Sequence, residues 1–280
     1  MGLCLLYLLL FKGRLAFKQF IKTKRARFEI KMFDLCTKDG ILLGVIVYTG
    51  DMSNDLISIP DRDFLMSERI PLMLLQPYLD KGYRLFVDNF YTSPRLADFL
   101  LDNGTTLVGT VRPNRRDFPD VLDAVSIDRG ESKFALSETG VLAVKFHAHK
   151  DKANKTPKIV HLLSTAHGNA TAASGKSDRD GNPIHKPTCV LEYNKCMGAV
   201  DLEDQQLDSV LVIRRSYKWY KKVVFRLLLQ CMLYAHKLLQ RQGRKQDFLQ
   251  FIHDTVTQML TYAALCVELY FLSATLASTY

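Results

Sequence analysis

A chain of 280 residues, 48% hydrophobic and 24% charged, is long enough to bury a full core as one large domain or two small ones. That composition is ordinary for a globular protein and excludes a fibrous or largely disordered chain. The formal net charge of +9 suits a nucleic acid or another anionic surface as partner, or simply a soluble basic domain.

Met1–Phe11 is apolar, but it carries neither the basic flank nor the cleavage site of a secretory leader, and it is too short to span a bilayer. Residues 12–31 then carry eight Lys/Arg. Ile30–Cys36 and Ile41–Tyr48 are β-rich runs separated by the turn signal Lys38-Asp39-Gly40, which predicts a hairpin. Leu85–Val87 lacks alternation and reads as a strand buried on both faces. A well-punctuated helix follows: Ser93 suits the N-cap, Pro94 the first helical position, and Gly104 the residue after the end. Thr105–Val111 is a further strand, so strand, helix and strand make a βαβ unit with its two strands parallel.

Residues 113–139 are polar and broken by Pro113 and Pro119. Val141–Phe146 and Ile159–Leu163 read as another pair of strands, Gly168–Pro187 as an exposed loop, and Cys189–Tyr193 as a short strand. From Val200 the pattern turns helical, over Val200–Val210, Ser216–Gln240 and Phe248 to about Tyr270. Met259–Ala277 approaches the length of a membrane span, but Glu268 and several Thr and Tyr residues favour a buried helix, or a chain end that departs from its natural context. The expected class is α/β, a mixed-sheet core followed by a helical region.

The six cysteines form no C-x-x-C pair, and the seven histidines never approach them at zinc-finger spacing. They read as scattered reduced thiols of an intracellular protein. No Gly-rich phosphate loop is present, which argues against nucleotide hydrolysis. His147, His149 and His161 fall in or near strands without a nucleophile partner, and read as surface or core histidines.

The chemistry sits at carboxylates. Asp88 ends a buried strand, where a carboxylate is well placed to hold a cation, and equally well placed to start the turn into the next helix. Asp201 precedes a helical run, with Asp204 three residues on and on the same helical face. Both could reach one metal, or Asp201 could serve as an N-cap with acidic first-turn company. Carboxylates gathered from distant segments are what two-metal phosphoryl transfer needs. In Arg214–Lys222 the cations Arg214, Arg215, Lys218, Lys221 and Lys222 interleave with Tyr217, Trp219 and Tyr220. Such a run can neutralise phosphates and stack on bases. It can also be an amphipathic helix with Trp219 and Phe225 facing the core.

Several of these segments resemble the transposase domain of piggyBac-type elements and their domesticated, transposable element-derived relatives. They are Phe11–Phe20, Val47–Gly50, Val87–Ser93, Val108–Arg112, Leu162–Thr165, Tyr193–Asp201 and Ala235–Leu238, and they run collinearly. The resemblance implies an RNase H-like core in which three aspartates bind two Mg²⁺, interrupted by an insertion domain and flanked by helical dimerisation and DNA-binding segments. Asp88 and Asp201 take the second and third catalytic places, with Asp204 as a nearby extra acid. The first aspartate is expected directly after Cys36, where this chain has Thr37; Asp34 and Asp39 are close, and Asp39 is the substitute to consider. The division implied is a basic N-terminal remnant at 1–27, a core at 28–114 and 188–208, an insertion at 115–187 and a helical region at 209–280. The expected partner is DNA at TTAA targets, with a homodimer as one arrangement, no small-molecule substrate, no membrane, and a nuclear location.

Three readings of function follow: a DNA-binding remnant with an impaired catalytic site, an active metal-dependent transposase that uses a substitute acid, and a basic interaction module without a DNA role.

Overall fold

The computed structural model describes residues 2–11, 14–17, 19–20, 28–50, 64–148, 158–177, 181–210 and 218–277. The chain divides into two compact units, Met1–Asp204 and Gln205–Tyr280.

The first unit is built on one mixed sheet of nine strands: β1 (Gly2–Leu10), β2 (Gln19–Phe20), β3 (Phe28–Cys36), β4 (Leu42–Val47), β5 (Arg84–Val87), β6 (Thr106–Thr110), β7 (Ser132–Leu136), β8 (Leu142–His147) and β9 (Ile159–Ser164). The order is β2-β3-β1-β5-β6-β9-β8-β7, with β4 also paired to β3. The β1–β5 and β5–β6 pairs are parallel, and the remaining pairs of this sheet are antiparallel. The expected hairpin is β3–β4, and the expected βαβ unit is β5, α2 (Pro94–Asp102) and β6.

Alternation along the central strands sorts the core onto two faces. Phe33, Leu35, Leu85, Val87, Leu107 and Leu163 pack with Ile70 and Leu74 of α1 (Met66–Leu75), with Leu96 and Leu100 of α2, and with Leu122 of α3 (Asp120–Ala124). Cys36, Phe86, Val108, Val144, Phe146 and Leu162 face the other way, against Cys189, Val190 and Cys196 of α4 (Thr188–Cys196). A mixed sheet with parallel central strands and helices on both faces is consistent with an RNase H-like core. α2 begins where its sequence says: the Leu96 N–H donates to Ser93 Oγ at 3.1 Å, and Gly104 takes φ +59° after the helix.

Several expectations are corrected. β1 lies inside the sheet between β3 and β5, so the first residues belong with the core rather than with a separate basic segment; a continuous apolar strand is what a two-sided interior position requires. β7, β8 and β9, which fall within the expected insertion at 115–187, extend the same sheet past β6. Gly168–Pro187 is not an irregular loop: β10 (Thr171–Ser177) and β11 (Pro183–Pro187) pair as a separate two-stranded ribbon. Cys189–Tyr193 is helical within α4, because a short apolar run fits either period and here packs as one helix face.

α5 (Ala199–Asp208) crosses the boundary between the units. The second unit otherwise holds α6 (Trp219–Arg241) and α7 (Phe248–Ala277). Val223, Arg226, Gln230, Leu233 and His236 form the buried stripe of α6 at helical spacing. The turn between the helices uses Gly243 at φ +88°. It is pinned by His236 Nε2, which donates to the Gln246 carbonyl at 2.7 Å, and the His236 ring packs on Phe248 and Phe251. Met259, Leu260 and Tyr262 of α7 are exposed, so that stretch is not the buried helix expected. Among the described residues no helix is long and apolar enough to cross a membrane.

Candidate functional site

Asp88 leaves the end of β5 and organises the turn into α2. Its Oδ1 accepts the Phe90 N–H at 2.9 Å, and its carbonyl accepts the Tyr91 and Thr92 N–H groups and the Thr92 hydroxyl, the last at 2.8 Å. The turn role weighed from sequence is therefore real, and it fixes one carboxylate oxygen. Two cations hold the turn from outside. Arg115 donates from Nε to the Thr92 carbonyl at 2.8 Å and from Nη2 to the Phe90 carbonyl at 2.7 Å. Burial lowers the Arg115 pKa, opposed by the charges of Glu68 and Asp88. Lys31 Nζ lies 5.0 Å from the ring centres of Phe33 and Phe90 and 5.8 Å from that of Tyr48, and burial pushes its pKa down. Gly109 completes the support. A Cβ there would overlap the Thr92 hydroxyl and come within 2.9 Å of the Val87 carbonyl, so only glycine lets β6 approach this closely.

Strand register decides what can join Asp88. Cys4 pairs with Val87 on one side and Leu35 on the other, so the next row across the sheet is Asp34, Leu5, Asp88. Cys36 pairs with Leu3, which places Thr37 one row past the Leu3–Phe86 pair, in the row of Leu85. Thr37 is thus three rows along and two strands across from Asp88, about 14 Å away at ordinary strand spacings. Its hydroxyl accepts the Ile41 N–H at 3.1 Å and closes the β3–β4 turn, and Asp39 is exposed at the tip of that turn. The expectation that Thr37 holds the place of a missing partner for Asp88, with Asp39 as substitute, does not agree with this register. The strand position beside Asp88 is Leu5.

On α5, Asp201 lies in the first turn rather than at the N-cap, because the helix begins at Ala199; its side chain is outside the described residues. Asp204 is half-buried. The α5 acid that reaches the sheet is Glu203, which sequence reading passed over: it is buried and accepts a hydrogen bond from the Cys36 thiol at 3.0 Å. Its signal was present, an acid one helical turn before the apolar Leu207. Among the described residues no group of three or more His, Cys, Asp and Glu could hold a metal ion. With an apolar position beside Asp88 and a thiol against Glu203, the described donors do not fit a pair of Mg²⁺ ions, whose ligands are oxygens.

A second polar cluster also escaped the sequence. Arg84 Nη1 donates to Glu192 at 2.6 and 2.7 Å, His167 Nε2 meets the same carboxylate at 2.5 Å, and His167 Nδ1 meets Ser164 Oγ at 2.8 Å. The order Ser, His, Glu invites comparison with a hydrolase triad. Ser164 is completely buried, however, and a nucleophile needs access to substrate. The cluster instead ties β5 and the end of β9 to α4. Burial lowers the His167 pKa, against the pull of Glu192. Beside it, Tyr193 and Thr110 share a hydrogen bond of 3.1 Å, and burial pushes the Tyr193 phenol up to about 12. Of the histidines singled out from sequence, His161 stacks edge-on against Phe118, His147 donates to the Ile127 carbonyl, and His149 is outside the described residues.

In the second unit the basic run is only partly described: Arg214 and Arg215 lie outside the described residues. Lys218 and Lys221 are exposed, Lys222 and Trp219 are half-buried, and Trp219 meets Tyr220 edge-on. Phe225 does not face a core; it is 64% exposed.

Comparison with known proteins agrees with this fold. The family model described as Transposase IS4 matches residues 6–236. Human PiggyBac transposable element-derived protein 2 is 23% identical over 223 residues, covering 76% of this chain and 36% of that protein. Human PiggyBac transposable element-derived protein 3 is 24% identical over 261 residues, covering 89% and 42%. The chain therefore spans less than half the length of these relatives. Among solved structures, a piggyBac transposase in a synaptic complex with hairpin DNA superposes with a TM-score of 0.72 at 24% identity, over 90% of this chain and 50% of that one. The chain belongs to the IS4 transposase family, as a piggyBac-type, transposable element-derived protein.

Proposed function

We propose that this chain is a piggyBac transposase-derived DNA-binding protein whose phosphoryl-transfer site is incomplete. The observation that carries this reading is the row Asp34, Leu5, Asp88: the strand position next to Asp88 is apolar, and a neutral hydrocarbon cannot bridge divalent cations. DNA as partner is supported by the net charge of +9, by the exposed Lys218 and Lys221, and by the hairpin DNA bound to the solved relative. On this reading Asp88 and Asp201 are the surviving catalytic aspartates, with Asp204 nearby, and Arg214, Arg215, Lys218, Trp219, Lys221 and Lys222 form the DNA-binding run. A nuclear location and a homodimer belong to the same reading.

The rival is an active enzyme with a substitute acid. The feature in its favour is Asp34, a fully buried carboxylate in the same row as Asp88. One experiment separates the two. The purified chain is mixed with labelled hairpin and linear duplexes, with Mg²⁺ or Mn²⁺ and without metal. Salt-dependent binding without cleavage supports the proposal. Metal-dependent cleavage that disappears in both Asp34→Asn and Asp88→Asn establishes the rival. Absence of binding at low salt removes the DNA role altogether.

A further inference from the structure

The cations at the start of α6 have a counterpart at its other end. Arg244 and Lys245 are exposed and, with Gln240, Gln246 and Asp247, line an open cavity of about 400 Å³ at the α6–α7 turn. This turn is rigid. Arg244 N–H donates to the Leu239 carbonyl, Gln246 is held through its carbonyl by His236 and through its amide by Asp254, and Asp247 Oδ2 accepts the Leu249 N–H at 3.0 Å. The one carboxylate in the cavity is thereby engaged with the N-terminus of α7, while the two cations face solvent.

Spacing gives the pair its meaning. α6 has 23 residues, so its ends are about 34 Å apart. One turn of B-DNA is also about 34–36 Å. Lys222 and Gln240, the residue of α6 that lines the cavity, are separated by 18 residues, about five full helical turns, and therefore lie on the same side of the helix.

We propose that Arg244 and Lys245 form a second DNA-backbone contact, which takes phosphates one helical repeat away from those held by Lys218, Lys221 and Lys222, with α6 as the ruler between them. The assignment rests on the DNA-binding reading above and adds to it a site and a spacing. The competing explanation for cations after a helix C-terminus is that they complement its dipole, which would affect stability and not DNA affinity.

The test uses the full chain and two probes, a 20-bp duplex and a 5-bp hairpin stem about 17 Å long at 3.4 Å per base pair, shorter than the roughly 27 Å of α6 between Lys222 and Gln240. Binding is followed by fluorescence anisotropy from 50 to 200 mM salt. In Arg244→Ala/Lys245→Ala, loss of two phosphate contacts lowers the salt slope on the 20-bp duplex by about 1.8, so the wild type falls about 12-fold further than the variant across that range. On the short stem, which either cluster can hold alone, the deficit shrinks to about twofold. Arg244→Lys keeps the wild-type slope. Unchanged slope and affinity of the double variant on the long duplex, with the wild type binding normally, overturn this inference and leave the DNA-binding reading intact. Equal deficits on both probes overturn the spacing. A wild type that binds neither probe overturns both readings.

Discussion

Gly109→Ala tests how the Asp88 turn is held. The added methyl group would overlap the Thr92 hydroxyl and lie 2.9 Å from the Val87 carbonyl and 3.0 Å from Val87 Cγ2. The carbonyl belongs to the β5 backbone and cannot yield cheaply, so the Thr92 side chain must move and give up its 2.8 Å bond to the Asp88 carbonyl. The lost hydrogen bond costs about 1 kcal/mol. Overpacking at a buried site adds about 1–3 kcal/mol. A total near 3 kcal/mol lowers the melting temperature by about 6–12 °C for a chain of this size. Urea unfolding of wild type, Gly109→Ala, Thr92→Ala and the double variant gives the coupling directly. Removing the Thr92 hydroxyl makes room for the methyl group, so the double variant is expected to be more stable than the sum of the single effects by about 1–2 kcal/mol. A Gly109→Ala chain within about 0.5 kcal/mol of wild type, or strictly additive effects, would refute the close approach as the reason for glycine.

Other consequences are open to the same kind of measurement. Arg115→Gln removes both cationic bonds to the Phe90 and Thr92 carbonyls, and is expected to cost about 1–3 kcal/mol in urea unfolding and to speed amide exchange across residues 89–92. At alkaline pH, the Tyr193 phenol at about 12 and the Cys189 thiol at about 11 both stay protonated in the fold after their unfolded counterparts have ionised. Their stabilisation is complete below pH 9 and is lost as pH rises from 9 to 12. Tyr193→Phe is expected to flatten the part between pH 10 and 12, worth about 2.7 kcal/mol for two pKa units. Glu192→Gln breaks the link from Arg84 and His167 to α4; a loss of about 1–3 kcal/mol is expected, and an unchanged urea midpoint would mean that the cluster holds nothing together.

The parts of the fold legible in the sequence are those with local punctuation. Ser93, Pro94 and Gly104 marked α2 because capping is a short-range matter, and Lys38-Asp39-Gly40 marked the β3–β4 turn for the same reason. β1 was not legible as a core strand: nine apolar residues carry no alternation and no partner signal, and only pairing with β3 and β5 gives them a place. β10 and β11 escaped because they bury almost nothing, so no hydrophobic period betrays them. Asp88 could be picked out, since an acid at the end of a buried strand is conspicuous. Its neighbours could not. Register is a property of pairing between strands distant in sequence, so Leu5 beside Asp88 and Thr37 three rows away were invisible until the strands were aligned. The same holds for Arg84, Ser164, His167 and Glu192, which converge from three elements and share no spacing rule.

The most direct measurement is metal-dependent cleavage of hairpin DNA by wild type, Leu5→Asp and Thr37→Asp, with Mn²⁺ binding followed in parallel. Wild type and Thr37→Asp are expected not to cleave, and Leu5→Asp, at the position next to Asp88 across the sheet, is expected to gain both tight Mn²⁺ binding and nicking. Cleavage by the wild-type chain that disappears in Asp88→Asn would contradict this, because the site would then be complete as it stands.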